Sequence, residues 1–84
     1  MSTAYFLINA RLNYEAEIIE KAKTVLKNSG VSAYEVRGTF GIYDIIVKIS
    51  AASDDILRKI VLEKLRKIEN IESAITMMVN EEQE

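Results

Sequence analysis

Asp44 is the residue whose type and position first call for an explanation. It belongs to the stretch GTFGIYDIIVKI, residues 38–49, in which two glycines three residues apart lead through Tyr43 into an apolar run. If residues 42–49 form a strand, the carboxylate lies just inside it, where full desolvation without a partner would cost about 2 kcal/mol or more. Asp44 can be satisfied in two ways. It can accept from backbone N–H groups of the turn, or pair with Lys48 or Arg37. Alternatively it can bind the ammonium of a small ligand at a subunit boundary, while the backbone of Gly38–Gly41 and the hydroxyls of Thr39 or Thr76 receive the ligand's carboxylate. Backbone N–H groups freed at glycine turns are good anion partners. Tyr43 reads as a core aromatic, and Gly38 and Gly41 as turn residues that could also serve a ligand.

Other chemistry is scarce. The 84 residues contain no histidine and no cysteine, which removes disulfides and the usual zinc ligand sets, and no cofactor or metal is expected. The chain has no nucleophile elbow, no phosphate-binding loop and no carboxylate pair on an apolar helix face. Asp44, Tyr43, Lys48 and Arg37 are the remaining catalytic candidates, without the tunable pair that general acid–base work needs, so the expectation is a protein that is not an enzyme. The glycines of GTFG lead into a strand and not a helix N-terminus, so they form no phosphate cradle. A net charge of −2 and a pI near 5.2 argue against direct nucleic-acid binding and against an anionic membrane surface. The apolar run from Ala4 to Ile8 is too short for a signal peptide or a membrane span, which points to the cytoplasm.

The elements that must position these residues follow from periodicity. Ala4–Ala10 reads as a strand apolar on both faces. With Asn13 as N-cap, a helix over Tyr14–Asn28 buries Ile18, Ile19, Ala22, Val25 and Leu26, and Gly30 closes it as a left-handed C-cap. Val31–Val36 is a mixed-polarity edge strand, and Gly38–Gly41 a hairpin loop with one or two positive φ values before the strand Ile42–Ile49. Ser53 caps a second helix with Leu57, Ile60, Val61, Leu65 and Ile68 inward and Leu62 off the stripe, exposed. Its pairs Asp54/Arg58, Asp55/Lys59 and Glu63/Lys67 have the favourable i, i+4 order, as does Glu17/Lys21 in the first helix. Ser73–Val79 is the last strand, and the acidic residues 81–84 fray.

The order β-α-β-β-α-β predicts one α+β domain, residues 1–84 with a core over 4–80, folded as a ferredoxin-like sandwich with both helices on one side of a four-stranded sheet. In a lone subunit the other sheet face meets water and each strand should alternate. Tyr5, Leu7, Phe6 and Ile8 instead occupy both faces, and Ile42, Ile46 and Met78 are expected on the open one. The expectation is a homodimer through the sheets, of the dimeric α/β-barrel type, with the methionines filling the interface.

Gly41-Ile42-Tyr43-Asp44 before an apolar strand and helix, followed by Ile71-Glu72-Ser73-Ala74-Ile75-Thr76 and a final strand, resembles the effector-binding or RAM domain of the Lrp/AsnC family of transcriptional regulators. The resemblance covers about residues 4–80. It implies sheet-to-sheet dimers, rings of four or five dimers (an octamer or decamer), and amino-acid binding in crevices between dimers. It carries the ligand role to Asp44 and Thr76. Ala74 stands where members of the family often have a threonine, and Gly-Thr-Phe before Gly41 is an added feature. The chain starts at the first strand, so the resemblance implies a stand-alone effector domain that mixes with full-length regulators without touching DNA itself. Three alternatives share the fold: an assembly or adaptor protein with no ligand, a small dimeric α/β-barrel enzyme, and an ACT-type amino-acid-binding domain.

Overall fold

The computed structural model describes residues 1–79, the side chain of Ile60 excepted, so the expectations for Ile60 and for residues 81–84 lie outside the described residues. Strand β1 (Ser2–Ala10), helix α1 (Glu15–Lys27), strands β2 (Ala33–Gly38) and β3 (Ile45–Ala51), helix α2 and strand β4 (Ile71–Met78) follow one another as the periodicity predicts. Helix α2 contains a π-helical stretch, Ile56–Leu62, that continues as α-helix through Glu63–Arg66. All strand pairings are antiparallel, in the order β2-β3-β1-β4 of the ferredoxin-like α+β sandwich. Strand β2 is an edge, as its mixed polarity predicts, and β4 is the other.

Alternation along β1 decides which side closes. Ala4, Phe6, Ile8 and Ala10 are buried against the helices with Ile45, Val47 and Ile49 of β3, Ile18 and Leu26 of α1, and Leu57, Val61 and Leu65 of α2. Each fully buried aliphatic side chain of this kind contributes about 1.5–3 kcal/mol. Because Ala4 pairs with Met78 and Phe6 with Thr76, β4 turns Met78, Thr76 and Ala74 toward the helices and Ile75 and Met77 away. Met78 therefore packs against the core and not on the open face, contrary to expectation.

The helices depart from the predicted details at three places. Asn13 is not the N-cap of α1. It takes φ 73°, a left-handed value that asparagine tolerates, inside a turn closed by Tyr14 N–H on Arg11 O at 3.0 Å, and Tyr14 occupies the cap position without a side-chain hydrogen bond. Leu62 is buried, not exposed, because the wider i→i+5 turns of α2 rotate it inward beside Val61. The same change of pitch removes the expected i, i+4 register at the start of α2. Among the described residues the pairs Asp54/Arg58 and Asp55/Lys59 do not form, and neither does Glu63/Lys67 at the α-helical end, where Lys67 is already the C-cap, whereas Lys21 and Glu17 of α1 meet at 3.4 Å. Two other signals hold: Gly30 has φ 72°, and Ser53 Oγ accepts from Ile56 N–H at 3.3 Å.

Candidate ligand site at the β2–β3 loop

Strand β3 begins later than the apolar run suggests. Residues 39–44 form a loop, and Asp44 is its last residue, half-buried, not a residue inside the strand. Three contacts hold the loop. Thr39 Oγ1 donates to Tyr43 O, Thr39 N–H donates to Asp44 O at 2.7 Å, and Gly41 takes φ 138°, a value that L side chains rarely adopt. Gly38 has no such need. It ends β2 opposite Ile45, and a Cβ there would meet only Ile19 Cδ1 and Asp44 O, at 3.7 and 4.0 Å. Ile42 is thereby displaced from the sheet and is 85% exposed, while Tyr43 is half-buried and outside the core.

Asp44 ties this loop to β1. Its N–H donates to Ile8 O at 3.0 Å, and its Oδ2 accepts from Ala10 N–H at 2.9 Å. The carboxylate so extends the β1–β3 ladder beyond its last main-chain pair, Ile8 with Ile45. A hydrogen bond to a charged acceptor is worth about 1.5–3 kcal/mol, which accounts for a carboxylate at this position. Its partner is the backbone of β1 and not the turn, Lys48 or Arg37. Arg37 instead pairs with Glu35 at 3.3 Å, and Lys48 lies 6.0 Å from the Tyr5 ring centroid. Among the described residues Oδ1 has no hydrogen-bond donor.

The predicted site residues divide into two groups. Gly38, Thr39 and Asp44 line one open cavity of about 440 Å³ together with Glu15 and Phe40. Gly41 and Tyr43 belong to the same loop but do not line the cavity. Thr76 is elsewhere: it lies on β4 opposite Phe6, where its Oγ1 accepts from Arg66 Nη2 at 3.1 Å. From Phe6 to Ala10 is roughly 13 Å along β1 at about 3.3 Å per residue, so Thr76 does not share the cavity within one subunit. Glu15 and Phe40 were not anticipated as site residues. Phe40 had a signal, an aromatic side chain between two glycines, and it is fully exposed. Glu15 had a weaker one, a carboxylate in a first helical turn. Among the described residues no cluster of His, Cys, Asp and Glu could hold a metal ion, and no helix is long and apolar enough to cross a membrane.

The fold has known counterparts. Over 79 residues the chain is 37% identical to an uncharacterised HTH-type transcriptional regulator of Pyrococcus furiosus, matching 92% of this chain and 50% of the regulator. Among solved structures, FFRP-DM1 superposes with a TM-score of 0.74 and 30% identity, covering 95% of this chain and 100% of that one. Escherichia coli AsnC gives a TM-score of 0.63 at 24% identity, covering 93% of this chain and 50% of AsnC, a likeness of fold. No protein-family model matches the chain. The chain belongs to the Lrp/AsnC family of transcription regulators, with the fold of the effector-binding domain. It spans about half the length of the regulators it matches.

Proposed function

We propose that this chain is an amino-acid-binding regulatory module that works as an oligomer in the cytoplasm and acts on transcription through longer Lrp/AsnC regulators, without catalysis and without binding DNA itself. The observation that carries the proposal is the cavity at the β2–β3 loop, where Asp44 keeps one carboxylate oxygen free beside Thr39, Gly38 and Phe40. The free oxygen suits an α-ammonium. The hydroxyl proton of Thr39 is taken by Tyr43 O, so a ligand carboxylate falls to backbone N–H groups: those of the loop, or those of the first turn of α1, which no side chain caps.

The oligomer is proposed from the open sheet face. Tyr5, Leu7 and Ile46 are half-buried there, and Ile75 and Met77 are 47% and 49% exposed, forming an apolar band over β3, β1 and β4 that a second copy would cover. Dimers made this way, closing into an octamer or decamer, would place the loop cavities at boundaries between dimers, where Thr76 of a neighbouring subunit could join Asp44.

Isothermal titration against the twenty amino acids tests the ligand, with Asp44→Ala as control. Heat from a subset of amino acids, lost in the variant, is expected, and uniformly silent titrations would remove the ligand from the proposal. A second reading has its own support. Asp44 already serves β1 through Ala10 N–H, as it would in an assembly or adaptor protein that binds no small molecule. In that case Asp44→Ala lowers the melting temperature and changes nothing else.

A further inference from the structure

Helices α1 and α2 run antiparallel, because the strands that feed them, β1 and β3, are antiparallel. Between them lies an open groove of about 420 Å³, lined by α1 and the C-terminal end of α2 and by no strand. Its floor is apolar. Val25 is half-buried and Ile68 buried there, and the hydroxyl proton of Thr24 is taken by Glu20 O at 3.0 Å, so that side chain brings no free donor. The rim is cationic, with Lys21 on α1 and Lys64 and Lys67 on α2. Among the described residues neither Lys64 nor Lys67 has a carboxylate within ion-pair range, and Glu20, the one acid on the rim, lies 4.0 Å from Lys23 instead. The negative end of the α2 dipole accounts for Lys64 and Lys67. It does not account for Lys21, which stands across the groove and adds like charge to like in a chain whose net charge is −2.

We propose that this groove docks an amphipathic helix of a protein partner, with aliphatic side chains seated over Val25 and Ile68 and glutamates or aspartates beside Lys21, Lys64 and Lys67. A third helix is the shape that fits. Two antiparallel helices leave a channel between their outer flanks, and a helix laid in it presents its anchors at i, i+3 or i+4 and i+7. Charge selects the flanks of that helix. Cations gathered around an apolar floor focus their field on the space above it, and carboxylates of a partner neutralise a repulsion that the chain itself leaves uncompensated. Lys21 and Val25 stand one turn apart, about 6 Å along α1, so the matching helix carries an acid about one turn from an aliphatic anchor. The contact involves neither the sheet nor the β2–β3 loop, and it stands whether or not an amino acid binds at that loop.

Fluorescence anisotropy with a labelled synthetic peptide tests the groove. The probe is a helix of about 15 residues with leucine at i, i+3 and i+7 and glutamate beside them. It should bind at physiological salt. Exchanging its leucines for alanine, which keeps the helix, or its glutamates for lysine should weaken binding about tenfold or more. Lys64→Glu with Lys67→Glu, at two exposed positions where the melting temperature should not change, should weaken the acidic probe about tenfold or more and bind the lysine probe in its place. With the acidic probe added to isotope-labelled protein, amide resonances of Lys21–Val25 and Lys64–Ile68 should shift and those of the open sheet face should not. Silence of the acidic probe, equal affinity for its alanine version, an unchanged affinity in the double variant, or shifts centred on the open sheet face would each overturn the proposal. So would binding to phosphatidylglycerol vesicles by a chain that ignores the peptide, since the groove would then serve a membrane surface.

Discussion

Neighbouring residues of β1 have opposite fates. Phe6 and Ile8 are completely buried beneath the helices, while Tyr5 and Leu7, equally apolar, remain only half-covered on the other side of the same sheet. The open side is itself divided, apolar along β1 and β4 and at Ile46, charged at Glu35, Arg37 and Lys48 toward β2. The chain closes one face with its own helices and leaves the other open. A domain of this size buries only about 60% of the surface of its unfolded chain, so covering a second face would be a large addition to a small core.

The sharpest way to break the comparison is to truncate one residue from each side. Phe6→Ala should destabilise the chain by about 3–5 kcal/mol, the transfer term plus the cavity left under α1 and α2. Leu7→Ala should cost about 1 kcal/mol or less in dilute protein, since truncating it opens no void. Urea denaturation followed by circular dichroism reads both. Equal losses at the lowest measurable concentration would mean that the two faces are equally closed within one chain. A loss for Leu7→Ala that grows with protein concentration would show the open face covered by another copy.

Asp44→Ala comes next, with an expected cost of about 1–3 kcal/mol, because Ala10 N–H loses its acceptor at the end of the ladder. Asp44→Asn keeps an acceptor oxygen and should recover part of that loss in the same denaturation experiment. The pair separates structural from ligand-binding duty: Asn restores the ladder, yet it offers no charge to an ammonium group.

The two glycines of the loop give a smaller contrast. Gly41→Ala should cost about 1 kcal/mol because its φ of 138° resists a Cβ, and Gly38→Ala should be neutral or slightly stabilising, since the new methyl meets ordinary contacts and the unfolded chain loses freedom. Thermal melting of both variants checks the order. A larger penalty at Gly38 would mean that β2 approaches α1 more closely than the 3.7 Å to Ile19 allows for.

What could be read from the sequence follows the same division. The order of elements, the β2 edge, the inward stripe of α1, the Ser53 cap and Gly30 all rest on signals local to a few residues. Most of the errors involve partners far along the chain or a change of helical pitch; Asn13, held in the local turn between Arg11 and Tyr14, is an exception. The acceptor role of Asp44 depends on Ala10, 34 residues away, and that tie decides where β3 starts. The side taken by Met78 depends on its register with Ala4, which periodicity within a short apolar strand does not specify. Leu62 moved inward because α2 widens, and nothing in a 3.6-residue period announces that. Of the candidate site, Gly38, Thr39 and Asp44 were readable as a cluster because one loop holds them. Glu15 joins them only through folding, and Thr76 is separated from them by β1.

The smallest expected effect sharpens the comparison furthest. Lys48 and Tyr5 are direct cross-strand partners on the open face, with Nζ 6.0 Å from the ring centroid. In a lone chain both are washed by water, and a double-mutant cycle with Lys48→Met and Tyr5→Leu should give a coupling of about 0.5 kcal/mol, the low end for an exposed cation over an aromatic ring. If a second copy covers this part of the sheet, water leaves, and the same coupling rises toward about 2 kcal/mol at high protein concentration. A coupling that stays small while Leu7→Ala becomes costly would confine the covering copy to the apolar half, β1 and β4, and leave the charged half as its wet rim. A coupling that rises together with the cost at Leu7 would bring the whole face, charges included, under the partner.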